Sequence, residues 1–250
     1  MADTSPAPIL HIEELTKYFG GLCAVKSFSL DLPEGALWGL IGPNGAGKTT
    51  VFNMITGFIR PDSGEIWFQG ENITRLKPFQ IVNRGLCRTF QLVDLFKEMT
   101  ALENVMIPCF CHRASQQRPQ EEKPWKVAMT FLKEVGLTSR FNELAKNLAF
   151  GELRLVDIAR AMATRPDILL LDEPFSGLDV EDAAVLSSAI KQMHQKGQTM
   201  IIIEHRLRDL LKLVERVVVI VFGEKMAEGT PQEIMSNPKV INAYLGERRD

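Results

Sequence analysis

At 250 residues, 45% apolar and 24% charged, the chain has ordinary globular usage and the length for one α/β core carrying a smaller lobe. Lys and Arg number 29 against 31 Asp and Glu, a formal net charge of -2; a protein that lives on nucleic-acid phosphates would show a basic excess or stripe. The longest apolar runs, Ile168 to Leu171 and Val217 to Phe222, fall far short of the ~20 residues of a membrane span, so any membrane contact is expected through a partner.

Met1 to Pro8 lacks the basic-then-apolar order of a secretory signal and reads as a loose tail. Leu10 to Leu32 alternates loosely, with Phe28, Leu30 and Leu32 on one face, which suits strands of a β-rich edge. Pro33-Glu34-Gly35 marks a turn before the apolar run Ala36 to Ile41. A glycine-rich loop follows, then helix-compatible residues from Lys48 to Thr56 with Gly57 as their stop. After the turn Pro61-Asp62-Ser63-Gly64, Ile66 and Phe68 alternate with polar neighbours, which predicts an accessory hairpin strand over Glu65 to Gln69.

Between Leu92 and Asn147 the periodicity becomes helical, broken by the polar stretch Arg113 to Pro124 and resumed from Trp125 to Val135. Residues 92–147 are therefore expected as a helical lobe inserted into a core made of 1–91 and 148–250. That core resumes with a helix over Glu152 to Ala163, the strand Ile168 to Leu171, a helix over Val180 to Gln195 and the strand Met200 to Ile203. Alternating strand and helix implies a parallel sheet. With no internal repeat, one such unit is expected. Cys23, Cys87, Cys109 and Cys111 are irregularly spaced in a chain too large to need disulfides, and no second Cys/His pair completes a zinc-like set with Cys109, Cys111 and His112. They read as partly buried structural thiols.

The chemistry begins with Gly42-Pro43-Asn44-Gly45-Ala46-Gly47-Lys48-Thr49, followed by Thr50. This run satisfies G-x-x-x-x-G-K-[ST], in which glycines let backbone N–H groups cradle phosphate oxygens at a helix N-terminus. Lys48 would reach the β- and γ-phosphates and the Thr49 hydroxyl would ligate magnesium. The pattern defines a P-loop NTPase, a class that spans kinases, GTPases, helicases and motors. A second signal is the apolar strand Ile168 to Leu171 ending in Asp172 and Glu173, since the carboxyl edge of a parallel sheet presents such groups to ligand. Asp172 would help hold magnesium and Glu173 would polarise the attacking water.

Taken in order, the remaining motifs resemble the ABC ATPase family across nearly the whole chain. Phe19 stands where the family has an adenine-stacking aromatic. Gln91, in Arg88-Thr89-Phe90-Gln91, matches the Q-loop, and Leu148-Ala149-Phe150-Gly151-Glu152 occupies the signature position. Ser176-Gly177-Leu178-Asp179 matches the D-loop, and His205 matches the switch histidine. The resemblance implies an α/β P-loop NTPase core with a mainly parallel sheet, an N-terminal antiparallel β subdomain and an inserted α-helical subdomain. It also implies ATP and Mg2+ as cofactors, with Gln91 contacting magnesium and water and His205 contacting the γ-phosphate.

The signature departs from the family's Leu-Ser-Gly-Gly-Gln at Ala149, Phe150 and Glu152. The serine hydroxyl is missing, while Gly151 and the following helix N-terminus remain to face an anion. A weaker contact to a partner's nucleotide is the expectation. Glu152 adds a carboxylate near phosphate that is unfavourable unless it points away or meets Arg154.

In this family one protomer's signature completes the other's ATP site, so the resemblance implies a head-to-tail dimer with a second ABC ATPase, identical or related. It further implies transmembrane permease subunits met through Gln91 and the segment Leu92 to Met99, a periplasmic or extracellular solute-binding protein acting indirectly, no nucleic acid, and a peripheral place on the cytoplasmic face of the inner membrane. Within the family the chain is most similar to the ATPases of bacterial high-affinity branched-chain amino-acid importers. That likeness rests on Lys17 to Leu22, Arg88 to Gln91 followed by Leu95 to Thr100, Phe150, Gly229 to Ile234 and Asn242 to Gly246. Amide, urea or aromatic-acid importers share this texture, and Arg206 departs from the acidic residue expected after His205. A soluble ABC ATPase of nucleic-acid maintenance or translation is the alternative class, though its coiled-coil arms, zinc modules or tandem units are lacking. A non-hydrolytic scaffold conflicts with Lys48, Asp172, Glu173 and His205.

Overall fold

A computed structural model describes residues 7–119 and 121–245. The tail expected at Met1 to Pro8 falls outside the described residues for its first six positions, as does Gly246. The described strands are β1 Leu10–Phe19, β2 Leu22–Leu32, β3 Leu37–Ile41, β4 Ser63–Phe68, β5 Glu71–Asn72, β6 Leu86–Arg88, β7 Ile168–Asp172, β8 Thr199–Ile203, β9 Arg216–Val221 and β10 Glu224–Gly229. The chain forms two compact units, residues 1–78 with 201–250 and residues 79–200.

In the first unit, β1 lies between β2 and β4 in a four-stranded sheet of order β2-β1-β4-β5. All its pairings are antiparallel: Leu10 faces Leu32 on one side and Phe68 on the other, and Ile12 faces Leu30 and Ile66. These apolar residues are buried, as the period-2 pattern requires. The ladder slips after Ile12, where Glu14 and Ser27 adopt positive φ of 47° and 44°. The Thr16 hydroxyl knits this bulge by accepting from Ser27 N–H at 3.1 Å and donating to Glu14 O at 3.3 Å.

The unit's other strands run in the order β10-β9-β3-β8. Strand β3 pairs parallel with β9, Trp38 opposite Arg216 and Ile41 opposite Val219, and β9 turns back antiparallel into β10. Every residue of β3 is buried, the mark of a strand covered on both faces. The helix Lys48–Ile55 leaves the loop after β3 and ends at Gly57, whose N–H reaches Met54 O at 3.1 Å with φ 73°. Near the C-terminus, Thr230 and Glu233 form a capping box at the start of the helix Pro231–Ser236, and a second helix, Pro238–Leu245, follows.

In the second unit β7 and β6 are neighbours. Strands β6 and β7 are parallel, Arg88 opposite Leu170, and the ladder runs one bond further through Thr89 N–H to Leu170 O at 2.9 Å. Around them lie the helices Ala101–Met106, Pro124–Glu134, Phe150–Met162 and Val180–Gln195. Two expectations are corrected here. The polar stretch from Arg113 contains the helix His112–Gln117, because the Cys111 sulfur caps Ala114 N–H at 3.5 Å and the Arg113 guanidinium is anchored on Arg84 O, Arg165 O and Asp167. The helix expected from Glu152 begins at Phe150, since the Glu152 carboxylate folds back to accept from Ala149 N–H at 2.9 Å and closes the first turn.

Candidate functional site

In the unit of residues 1–78 and 201–250, the phosphate-type loop joins β3 to the helix Lys48–Ile55. Gly45 and Gly47 take positive φ of 74° and 105°, the left-handed backbone from which phosphate-cradling loops are built. The packing leaves no room for side chains at two of the loop's glycines. A Cβ on Gly42 would sit 2.0 Å from Ile220 O, and one on Gly47 would sit 2.5 Å from Ala24 O. Lys48 is buried, its ammonium donating to Gly42 O at 2.6 Å and Pro43 O at 2.8 Å. Asn44 and Gly45 are exposed at the tip, Pro43 is half-buried and Ala46 is buried; Thr49 is exposed and Thr50 half-buried on the first helical turn. Gly223 N–H donates to Ala46 O at 3.0 Å, and Gly223 O accepts from Lys26 N–H at 2.9 Å, so the β9–β10 turn clamps the loop to β2.

Phe19 ends β1 with its ring 47% exposed and the Lys17 ammonium 5.7 Å from the ring centroid. Lys17 is itself held by Asp62 at 2.9 Å, and Asp62 also accepts from Tyr18 N–H at 2.6 Å. Those two hydrogen bonds, Lys17 first, hold the Asp62 carboxyl below the usual carboxylate range. An exposed ring steadied in this way is a platform that a flat aromatic ligand can cover. His205 follows β8 and is exposed. Its position is set by Glu204, a fully buried carboxylate that accepts from His205 N–H at 3.1 Å and Arg206 N–H at 3.2 Å.

In the unit of residues 79–200, β7 delivers Asp172 and Glu173 from a buried strand. Asp172 is paired with Arg88 at 2.5 Å, with only 5% and 4% of the two side chains exposed. Glu173 has φ 48°, a left-handed conformation costly for a residue with a Cβ. Its carboxylate accepts from the Gln91 amide at 2.8 Å, so two of the residues singled out from sequence meet side chain to side chain. The guanidinium of Arg88 also lies 5.0 Å from the Phe90 ring centroid.

The segment Leu148 to Glu152 leads into the helix Phe150–Met162, with Ala149 at the cap position. Alanine offers no side-chain oxygen to the helix, so the cap is carried by Glu152 alone. Glu152 does not meet Arg154; it pairs with Arg140 at 2.9 Å. Gly151 is required by packing, since a Cβ there would lie 2.3 Å from Asp182 Cγ. Phe150 lies against Gly177, whose built Cβ would come within 3.0 Å of the ring. Asp179 caps the helix Val180–Gln195 by accepting from Asp182 N–H at 2.8 Å, a structural duty in addition to the one its motif suggests.

No group of three or more His, Cys, Asp or Glu that could hold a metal comes together among the described residues. Thr49, exposed on its first helical turn, and Asp172, at the end of β7, each carry oxygen, the donor type that magnesium prefers. Cys109 is buried and Cys111 serves as a helix cap.

The loop, the strand-end carboxylates and the glutamine have the spacing and local geometry of one lineage, and comparison with known proteins identifies it. Residues 25–176 match the family described as ABC transporter, and residues 224–250 match that of the branched-chain amino acid ATP-binding cassette transporter. The chain belongs to the ABC transporter ATPase family. It is 42% identical over 251 residues to the high-affinity branched-chain amino acid transport ATP-binding protein BraF of Pseudomonas aeruginosa, covering 96% of this chain and 98% of that one. Its fold matches the ADP conformation of MJ1267, an ATP-binding cassette of an ABC transporter, with TM-score 0.87, 34% identity, and coverage of 96% and 100% of the two chains. It also matches the dimeric, post-hydrolysis ATP-binding cassette MJ0796 bound to ADP and phosphate, with TM-score 0.77 and 28% identity over 89% of this chain and 98% of that one.

This ABC ATPase therefore has the P-loop NTPase fold, binds and hydrolyses ATP, and serves a membrane transporter. No described helix is long and apolar enough to cross a membrane. The sequence alone singles out Gln91 and Glu173, whose side chains meet at 2.8 Å. It does not reveal Arg88 and Glu204 as partners of the site, although an arginine three residues before Gln91 and an acid closing an apolar strand are both visible in it.

Proposed function

We propose that the chain is the ATPase of an importer for branched-chain amino acids or related small solutes, working as a head-to-tail dimer with an identical or related ATPase. The likeness to BraF over nearly the full length of both chains supports the cargo class, together with the C-terminal match at residues 224–250. The dimeric MJ0796 cassette supports the assembly. Permease subunits would dock on the lobe of residues 92–147, beginning with Leu92 to Met99, and a solute-binding protein outside the membrane would deliver cargo to them. The ATPase itself would sit on the cytoplasmic face of the membrane, held there by the permease.

The observation that carries the catalytic reading is the Gln91 amide on the Glu173 carboxylate at 2.8 Å, at the end of the buried strand β7. Phe19 would stack on adenine. Gly42 to Thr50 would bind the phosphates, with Lys48 on the β- and γ-phosphates. Magnesium, held by Thr49, Asp172 and Gln91, would draw charge from the phosphate oxygens. Glu173 would take a proton from the attacking water while Gln91 orients both, and His205 would donate to the γ-phosphate as charge develops. Leu148 to Glu152 and Asp179 would face the partner's nucleotide through Gly151 and the helix N-terminus.

The test is steady-state ATP hydrolysis by Glu173→Gln alongside nucleotide binding. Turnover is expected to fall about 100-fold or more with ATP affinity retained; undiminished turnover refutes the role of Glu173. For the cargo, the complex reconstituted in vesicles with its permease and binding protein should take up labelled leucine on ATP addition. Uptake of only urea or aromatic acids would overturn the cargo class.

A further inference from the structure

Arg154 is fully buried, 1% exposed, and is among the largest buried side chains of the protein. It belongs to the helix Phe150–Met162, two positions after the signature segment. Its guanidinium donates to Phe90 O at 3.1 Å through Nη1 and to Gln91 O at 3.0 Å through Nη2. A planar fork that holds two consecutive carbonyls fixes two peptide groups through donors of set geometry, whereas the donors of an ammonium rotate about its stem. One end of that clamped stretch carries the Gln91 side chain, with its amide on Glu173 at 2.8 Å. Two residues before Phe90, Arg88 holds Asp172.

The guanidinium is also covered by Phe150, with its ring centroid 5.6 Å away. Phe150 in turn lies against Gly177. The bulky residue that stands in the signature where the family has a glycine thus roofs the arginine that grips the Gln91 backbone. Burial among these groups makes the two carbonyl bonds costly to lose, because each would leave an unsatisfied polar group.

We infer that Arg154, roofed by Phe150, is a positioning residue for hydrolysis: it clamps the Phe90 and Gln91 backbone so that the Gln91 amide is held on Glu173. Arg154 acts through Gln91 and is given no contact with nucleotide or water. The inference rests on Glu173 being the group that activates water.

The experiment measures ATP hydrolysis and ATP affinity by full-length Arg154→Lys, Gln91→Ala, their double variant and Glu173→Gln, with thermal melts as a check on folding. Arg154→Lys keeps the charge but loses the fork, and its kcat is expected to fall about 10- to 100-fold with ATP affinity changed less than about threefold. The double variant should be no slower than Gln91→Ala alone, because both changes disable one device. A purely structural arginine would instead give additive losses, or lose ATP affinity along with kcat, and either result overturns the inference. So does wild-type kcat in Arg154→Lys beside an inactive Glu173→Gln. Full turnover in Glu173→Gln overturns the catalytic reading first, and this inference with it. Should Arg154→Lys fail to fold, Phe150→Leu, altered at a half-exposed ring, replaces it: a lowered kcat that vanishes in the Gln91→Ala background supports the clamp, and an undiminished kcat refutes it.

Discussion

Gly42→Ala places a methyl group where the protein has backbone. The added carbon would sit 2.0 Å from the carbonyl oxygen of Ile220 and 3.2 Å from Ala46 Cβ. Contacts below 3.0 Å are essentially never made by real Cβ atoms, so the loop and β9 must part by about 1 Å or more in a close-packed interior. Neither obstacle is a flexible side chain: one is a strand carbonyl beside the parallel β3–β9 ladder, the other a loop methyl. Overpacking against such a wall costs about 2–3 kcal/mol, the upper part of the usual range. For a chain of this length that lowers Tm by roughly 4–12 °C. The same shift moves the Gly42 carbonyl, which holds the Lys48 ammonium at 2.6 Å, so ADP affinity should drop at least about tenfold. Calorimetric melts and titration of a fluorescent nucleotide read both effects. A variant melting within about 1 °C of the parent with unchanged affinity would refute the claim that this glycine is a steric necessity.

The thiols should separate by burial. Cys87 is pushed up to about 11, chiefly by burial, and Cys109 is also raised by burial, so iodoacetamide at about pH 8 should label half-buried Cys23 and Cys111 while sparing the other two until the protein unfolds. Peptide mass mapping decides it. Asp62 is held below its ordinary value by Lys17 and Tyr18, so its stabilising share is present above about pH 4 and is lost as pH falls through the lowered folded value. Melts from about pH 6 to about pH 3 should therefore decline less steeply in Asp62→Asn than in the parent, and parallel curves would disprove the linkage. Arg140→Ala breaks a pair whose side chains remain 40% and 25% exposed, so it should cost no more than about 1 kcal/mol, or about 4 °C in Tm. A larger fall would mean that Glu152 depends on Arg140 for more than charge.

Much of the site can be read from sequence because its chemistry is local. The loop's glycines and Lys48 lie within eight residues, the carboxylates end an apolar run, and the helix Lys48–Ile55 stops at Gly57 as its residues suggest. What escapes is whatever requires two distant segments to meet. Arg88 and Asp172 are 84 positions apart, and nothing local distinguishes Arg88 from any arginine ending a short strand. Whether Glu152 meets Arg154 or another cation depends on where the turn around Arg140 falls, and helical spacing carries no such information. The helix His112–Gln117 is hidden by its polarity. It is stabilised by a cysteine cap and by an arginine bound to two carbonyls and Asp167, none of which leaves a periodic apolar trace. Glu204 looks like a strand-end acid and becomes significant only when its two amide donors are seen.

Lys48 carries a consequence for how firmly phosphate can be held. A lysine ordinarily surrenders about 2 kcal/mol of rotamer entropy when it is pinned to a ligand. Here the carbonyls of Gly42 and Pro43 already direct the ammonium across its own loop, so most of that ordering is completed when the chain folds. On the proposed reading, anion capture would be spared the loss, worth roughly a factor of ten or more in affinity. The two loop carbonyls thus act as a splint for the cation that, on the proposed reading, would meet the nucleotide.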